Sequence, residues 1–237
     1  MKYLPNIVFI LCFILFSKNV LASPSDNDCI RPLTLSSTTD WFPFIYRNET
    51  GVSEGSDVAV LRFLLAQLNC ELKVVHFPER RALFELKYGE FDIGLGASYN
   101  EERARDFYYS KQYRMERNNF AYHTNDLAIT SSDSLQDIVN LKKIIAINLG
   151  GWYGYEIEQA KSEHNIFIYS DTAGTRLKML HHKRVDIVID DKIVLCSELE
   201  KSNYQDIDIH PLTLYETPIH FIFNKKTISQ AFLNRFN

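Results

Sequence analysis

The sequence of 237 residues predicts an α/β fold built from two similar lobes, on three observations. Apolar strand-like runs alternate with amphipathic helix-like runs, a pattern typical of parallel strands joined by crossover helices. One pattern occurs twice, at 83–93 and at 177–187, with the same spacing between its leucines and its Asp-Ile pair. An apolar run at 218–223 and a helical run at 228–236 complete the first lobe, so the chain crosses between the lobes twice.

Composition and charge are those of an ordinary globular protein. Hydrophobic residues make up 46% of the chain, charged residues 24%, and the net charge is −4. This balance gives no general reason to expect nucleic acid or an anionic membrane surface as a partner. The length suits one large domain or two small ones, and the duplicated pattern favours two.

The N-terminus has the pattern of a secretory signal peptide. Lys2 precedes a largely apolar run, and Val-Leu-Ala at 20–22 supplies a small side chain for cleavage before Ser23. A membrane anchor is the alternative, but the apolar run is shorter than the roughly 20 residues that span a bilayer. We therefore expect residues 1–22 to be removed.

Two of the three cysteines beyond that segment are placed to pair. Cys29 precedes a predicted strand at 32–37, and Cys70 precedes another at 72–77. If these strands are parallel neighbours, both sulfur atoms lie at one edge of the sheet and can form a disulfide in an oxidising compartment. Cys196 has no neighbouring histidine or basic cluster to activate it, so we expect a buried thiol there.

The first lobe is predicted to have the order β-α-β-α-β, which implies parallel strands. Its first helix has an apolar face and either Ser56 or Asp57 as N-cap. The predicted elements are strands at 32–37, 72–77 and 91–95, and helices at 56–69 and from Pro78 onward.

The second lobe is predicted to contain three strands and two helices, and the second copy of the repeated pattern completes it. The strands lie at 118–123, 144–147 and 166–169, and the helices at 135–141 and 152–162. We place the crossings near 114–118 and 213–218, which gives lobe 1 as 23–115 with 216–237, and lobe 2 as 116–215.

Arg103 is a candidate anion-binding residue. It follows a turn at 96–98 and opens a predicted helix, where a guanidinium could hold a carboxylate at two points. The Ser98 hydroxyl and backbone N–H groups of the turn would assist. The alternative is a solvated arginine paired with a neighbouring acidic residue, which would contribute little to stability.

Asp191 is the matching candidate for binding a cation. It ends the strand of the second repeat, where an aspartate is most often a helix N-cap, and Asp190 beside it could be that cap instead. In α/β sheets, ligands bind in the crevice beyond the carboxyl ends of the strands. Two similar lobes would then place Arg103 and Asp191 across one cleft.

Two further stretches could complete such a site. Trp41 follows the first strand and could form an aromatic wall. The Gly150-Gly151 turn exposes backbone N–H groups that could hold a carboxylate, but it lacks a nucleotide-binding fingerprint. No histidine has metal-ligand spacing and no nucleophile motif occurs, so we expect neither a cofactor, a metal nor covalent catalysis.

These stretches resemble a known family. The central motif, at 89–93, 98–103 and 109–113, resembles the signature of periplasmic solute-binding proteins of family 3, which serve ABC importers of polar amino acids. Agreement in order and spacing extends to 41–44, 55–57, 150–151, 184–191 and 219–223, so it covers nearly all of the mature chain. The resemblance implies a two-lobe, periplasmic-binding-protein-like fold of type II.

The resemblance also implies roles for individual residues. Arg103 would bind the α-carboxylate of the ligand, with help from Ser98 and from the backbones of Gly96 and Gly151. Asp191 would bind the α-ammonium, and Trp41 would stack on the ligand side chain. Arg81, at a helix start near the cleft, could favour a ligand with a second acid group, or it could be an ordinary surface charge.

The function implied is that of a periplasmic, monomeric binding protein rather than an enzyme. It would close on a polar amino acid or a similar zwitterion and deliver it to an ABC permease. One alternative is an enzyme on the same fold, similar to the cyclohexadienyl dehydratases, which would need an acid in the cleft; Asp190 is the spare candidate. Another is a ligand-sensing protein.

Overall fold

A computed structural model of the chain describes residues 29–37, 41–77 and 79–237. The predicted signal peptide, residues 1–22, lies outside the described residues. Within the described ranges, every helix is too short or too polar to cross a membrane.

The elements of the first half of the chain are β1 (Leu33–Ser37), β2 (Tyr46–Arg47), β3 (Ser53–Glu54), α1 (Ser56–Gln67), β4 (Leu72–His76), α2 (Glu79–Tyr88), β5 (Ile93–Ser98), α3 (Glu101–Asp106), β6 (Phe107–Tyr109) and β7 (Arg114–His123). The second half contains α4 (Leu127–Thr130), α5 (Leu135–Asn140), β8 (Ile145–Asn148), α6 (Tyr155–Glu163), β9 (Phe167–Ser170), α7 (Ala173–His181), β10 (Ile187–Asp191), α8 (Lys192–Ser202), β11 (Ile207–Ile209), β12 (Tyr215–Asn224) and α9 (Gln230–Phe236).

In the described part of the chain, ten strands form one sheet. Its main path is β4-β1-β5-β12-β7-β10-β8-β9, with β6 beside β12 and β11 beside β7. The outer pairs on each side are parallel, whereas β7 and β12 are antiparallel to each other and to their neighbours on the path. These two long strands join two parallel-rich lobes, which confirms the predicted two-lobe α/β fold with two crossings.

Each lobe has its own hydrophobic core. In the first, Leu61 of α1 and Phe221 of β12 are fully buried, and Phe236 of α9 packs in the same cluster. In the second, Phe120 of β7 and Ile189 of β10 are fully buried. Full burial of each such side chain stabilises the fold by roughly 1.5 to 3 kcal/mol. The C-terminal strand and helix therefore close a core whose other members lie early in the sequence.

The repeated sequence pattern has the same structural task in both lobes. Asp92 Oδ2 accepts a hydrogen bond from the backbone N–H of Thr34 at 2.8 Å, and Asp186 Oδ2 accepts one from that of Ile144, also at 2.8 Å. Each aspartate precedes a strand and ties its beginning to the neighbouring parallel segment. Asp92 also accepts two hydrogen bonds of 2.7 Å from the Arg31 guanidinium.

The two predictions for cysteine have opposite outcomes. Cys29 and Cys70 form a disulfide with a Cα–Cα distance of 5.3 Å, which joins the approach to β1 to the segment before β4. Cys196 is exposed, so the prediction of a buried thiol was wrong. Val194 and Leu195 form the buried face of α8, which turns the Cys196 side chain toward solvent.

Two helix starts differ from the prediction for local reasons. Gly55, not Ser56 or Asp57, is the N-cap of α1, and no side chain caps the helix. Asp57 is instead buried and accepts a hydrogen bond from the Tyr113 hydroxyl at 2.6 Å. Helix α6 begins at Tyr155 rather than near 152, because the turn before it continues to Gly154, which has a φ of 89°. A positive φ of this size strains residues other than glycine.

Candidate functional site

A cavity of about 200 Å³ lies between the lobes, where strand ends and loops from both sides meet. The first lobe supplies Ser36, Trp41, Gly96 and Arg103, and the second lobe supplies Asn148, Gly150, Gly151, Tyr153, Arg176 and Asp190. Glu116 and Asn118, on the crossing strand β7, also line it. Of the residues expected to bind a ligand, Trp41, Gly96, Arg103 and Gly151 line this cavity, and Ser98, Asp191 and Arg81 do not.

Arg103 reaches from the first lobe to the second. The Asn100 side chain caps α3 by accepting a hydrogen bond from the Arg103 N–H at 2.8 Å, which fixes the first turn of the helix. The guanidinium then donates to the carbonyl oxygens of Gly150 at 2.9 Å and Ser98 at 3.5 Å. Burial lowers the pKa of the Arg103 guanidinium, although acidic groups at longer range oppose this. It remains charged at neutral pH.

Trp41 forms an aromatic wall whose position depends on Gly96. A Cβ atom at Gly96 would lie 2.7 Å from the Trp41 ring, and the φ of Gly96 is +69°, so a larger residue would be strained and would displace the ring. The Trp41 Nε1–H donates to Asp190 Oδ1 at 3.4 Å, across the cleft. Its ring centroid lies 5.0 Å from that of Phe44, which holds it from behind.

The two backbone positions expected to help bind a carboxylate already have partners within the chain. The Gly96 N–H donates to the Tyr113 hydroxyl at 3.2 Å, and the Gly151 N–H donates to the Asn148 carbonyl at 3.3 Å. Gly151 is needed for space, because a Cβ there would lie 2.6 Å from the Tyr153 ring. Both glycines therefore shape the cavity wall.

Asp190 and Asp191 face different surroundings. The Asp190 carboxylate lies on the cavity wall, forms an ion pair with Arg176 and accepts a hydrogen bond from the Asp191 N–H at 2.8 Å. Asp191 is the N-cap of α8 and accepts from the N–H groups of Ile193 at 2.7 Å and Val194 at 3.4 Å. Burial raises the pKa of Asp191 to about 6, against the hydrogen bonds from the helix and the charge of a nearby arginine.

Sequence reasoning missed Glu116 and Asn118. Residues 116 and 118 are buried on one face of β7, whereas Arg117 between them is exposed. The Asn118 Nδ2 donates to Glu116 Oε1 at 3.0 Å. Burial raises the pKa of Glu116 to about 7. Alternation of inward and outward side chains could have identified the pair, but the predicted strand began at 118 and so left Glu116 outside it.

Arg81 is turned away from the cavity. Its guanidinium forms an ion pair with Glu85 at 2.6 Å on the exposed side of α2 and lies 5.6 Å from the centre of the Phe77 ring. The next turns of α2 contribute Ala82, Leu83 and Leu86 to the cavity instead. This geometry is that of a surface charge.

The chain is similar to known proteins in sequence pattern and in fold. Residues 33–154 match the model of the bacterial extracellular solute-binding proteins, family 3. A histidine kinase sensor domain with similarity to periplasmic binding proteins has a TM-score of 0.77 at 14% identity, with 88% of each chain covered. The search of curated proteins found no match.

Two amino-acid-binding proteins also share the fold. The holo arginine-binding protein of T. maritima has a TM-score of 0.73 at 21% identity, covering 86% of this chain and 87% of its own. The ancestral amino-acid-binding protein AncCDT-1, a precursor of cyclohexadienyl dehydratase, has a TM-score of 0.72 at 18% identity, covering 87% and 86%.

Proposed function

The chain belongs to the bacterial extracellular solute-binding proteins of family 3, and from that premise we propose that it is a periplasmic protein that captures a polar amino acid or a similar small zwitterion. Closure of its lobes would enclose the ligand, and an ABC permease would receive it. Arginine binding by a protein of the same fold supports the ligand class.

Arg103 carries this proposal. Its guanidinium lies in the cavity and donates to two carbonyl oxygens, but no carboxylate forms an ion pair with it among the described residues. A partly buried cation without a counter-ion is unfavourable, because burial penalises the charged form. A ligand carboxylate would supply the missing charge and could bind the planar guanidinium at two points.

The rest of the cavity suits a small polar ligand. Its volume of about 200 Å³ is below the roughly 300 to 1,000 Å³ of pockets for drug-sized ligands. Trp41 offers a flat apolar wall next to polar side chains from both lobes. The contact between Arg103 and Gly150 spans the cleft, so a ligand bound at Arg103 would touch both lobes and favour their closure.

A thermal-shift screen against the twenty standard amino acids tests the proposal. A ligand present at 100 times its Kd adds about 2.7 kcal/mol of stability, which raises the Tm by roughly 5 to 11 °C for a protein of this size. Arg103→Ala should abolish the shift. Arg117→Ala is the matched control, because Arg117 is 62% exposed and forms an ion pair with Glu216 on the surface.

Two results would reject the proposal: no stabilisation of the wild type by any amino acid, or an undiminished shift in Arg103→Ala. Delivery to a permease is tested separately, by uptake of the labelled ligand in cells with and without the gene.

Glu116 favours one second candidate function, a dehydratase on the same fold. A carboxyl with a pKa of about 7 in the same cavity as the Arg103 guanidinium is suited to act as a general acid toward a leaving hydroxyl group. Glu116 is therefore a better candidate for this acid than Asp190, the residue expected from the sequence, because Asp190 already forms an ion pair with Arg176. Turnover of prephenate or arogenate by the wild type, lost in Glu116→Gln, would support it, and absence of turnover would reject it.

A further inference from the structure

The acidic residue expected to bind the ligand ammonium, Asp191, already has a cationic partner in the protein. We propose that Glu116, together with Asn118, binds the cationic end of the ligand, and that Arg114 occupies Asp191 permanently. This inference rests on the proposed function, since it takes the ligand to be a zwitterion whose carboxylate binds Arg103.

Arg114 is held inside a group of three carboxylates. Its guanidinium lies 3.2 Å from Asp57, 3.6 Å from Asp191 and 3.8 Å from Glu116. The Cζ atom of the Arg114 guanidinium also lies 3.8 Å from the centre of the Phe44 ring, a distance that allows a cation–π interaction. Arg114 therefore fills the space beside Asp191 with a positive charge of the protein's own.

Both oxygens of Asp191 face the protein and not the cavity. One of its oxygens accepts both hydrogen bonds from the start of α8, and the other faces Arg114. The residue is 2% exposed and does not line the cavity. An ammonium group would have to displace Arg114 to reach it, which would leave Asp57 without its arginine.

Glu116 also lies 3.8 Å from Arg114, but it differs from Asp191 because its side chain lines the cavity. Glu116 and Asn118 both line the cavity, and both are buried, with Asn118 only 1% exposed. The Asn118 Oδ1 atom has no hydrogen-bond partner among the described residues. A buried acceptor left unpaired costs roughly 1 to 3 kcal/mol, and a ligand N–H donor would relieve it. The Glu116 carboxylate, 3.0 Å from the Asn118 amide, would supply the negative charge.

The other wall offers a further unpaired acceptor. The Ser36 Oγ atom at the end of β1 is buried, lines the cavity and has no hydrogen-bond partner among the described residues. The cavity thus combines a cation, Arg103, with three groups that can accept hydrogen bonds from an ammonium. This arrangement selects ligands that have both an acid group and a protonated amine.

The surroundings of Glu116 determine how binding depends on pH. Arg114 lies on the same strand, Asp190 and Asp191 lie on β10, and Arg103 approaches from α3. The neutral Tyr153 hydroxyl also faces this region, and the paired position on β12 is Thr217, which carries no charge. Burial dominates over these charges and keeps the pKa of Glu116 at about 7.

Binding of a cation should therefore be coupled to loss of a proton from Glu116. Only the ionised carboxylate attracts an ammonium, so affinity should rise about tenfold between pH 6 and pH 8 for a group with a pKa of about 7. At pH 6.5, binding should release about three-quarters of a proton. Calorimetry in two buffers with different ionisation enthalpies measures this release.

The experiment uses the full mature chain and the twenty standard L-amino acids as probes. Those that stabilise the wild type are titrated into Glu116→Gln and Asp191→Asn, both of which keep the shape of the side chain. Asn is also a good N-cap, so α8 is preserved. Glu216→Gln, an exposed change on β12, is the matched control and should behave as the wild type.

We expect Glu116→Gln to lose at least tenfold in affinity and to release no proton, whereas Asp191→Asn keeps both properties. The inference is overturned if Asp191→Asn abolishes binding while Glu116→Gln keeps it, or if affinity falls as pH rises, which would mean that Glu116 binds as a neutral donor. These results would leave the proposed function standing. Absence of any shift in the wild type would reject both.

Discussion

Replacing Glu116 by Gln should stabilise the free protein at alkaline pH. In the folded chain, burial raises the pKa of this carboxyl from 4.5 to about 7. Folding therefore favours the neutral form, and the stability that this form contributes is fully present below the unfolded pKa and is lost as pH rises through about 7. Since one pKa unit corresponds to about 1.4 kcal/mol, the loss is about 3 kcal/mol at pH 8.

Gln has the shape of the neutral acid and does not titrate. The free energy of unfolding of Glu116→Gln should therefore exceed that of the wild type by about 3 kcal/mol at pH 8, but by only about 1 kcal/mol at pH 5. For a chain of this size, the difference at pH 8 corresponds to a Tm higher by roughly 6 to 12 °C.

Urea unfolding of the ligand-free proteins, followed by circular dichroism at both pH values, measures this difference. Glu216→Gln serves as control because its pair with Arg117 is exposed and should contribute little. A Glu116→Gln variant that is less stable than the wild type at pH 8, or that differs from it equally at both pH values, would refute the reasoning.

Two further predictions concern stability. Replacing both Cys29 and Cys70 by Ser opens a loop with a sequence separation of 41 and should lower the free energy of unfolding by about 4 kcal/mol. Urea unfolding without reductant measures this loss, and an unchanged midpoint would contradict the prediction. Asp92→Asn should cost about 2 kcal/mol at neutral pH, because hydrogen bonds from Arg31 and Thr34 outweigh burial and hold the pKa of Asp92 below its usual value. That stability is present above the unfolded pKa and is lost as pH falls through the lowered one, so the difference from wild type should shrink in acid.

The fold could be predicted because its main determinants are local or repeated. The spacing in 83–93 and 177–187 indicated two equivalent units, and the structure gives the reason in the matching hydrogen bonds of Asp92 and Asp186. Element ends were less predictable where tertiary contacts decide them. Asp57, a plausible N-cap from sequence, is turned toward Tyr113 and Arg114, which come from a distant part of the chain.

The site was only partly predictable for a similar reason. Arg103 and Trp41 could be found from their positions after a turn and after a strand, and both line the cavity. Which of Asp190 and Asp191 lines the cavity could not be predicted, because it depends on their contacts with Arg176 and Arg114, respectively. The proposed role of Glu116 depends on its burial, which the sequence does not indicate, because its neighbours Arg114 and Arg117 are typical of an exposed, charged segment.

Arg114 connects the stability of the free protein to its proposed selectivity. Its guanidinium lies near carboxylates from α1, β7 and β10. It therefore links a helix of the first lobe and a strand of the second lobe to the crossing strand β7 in the ligand-free protein. One charge cannot fully compensate three acids, and burial raises the pKa of Asp57, Glu116 and Asp191 together. A ligand ammonium at Glu116 would supply a second positive charge at the member of the group that faces the cavity. The cost of burying excess carboxylates in the free protein would then be recovered on binding, which favours cationic amines over neutral molecules of the same size.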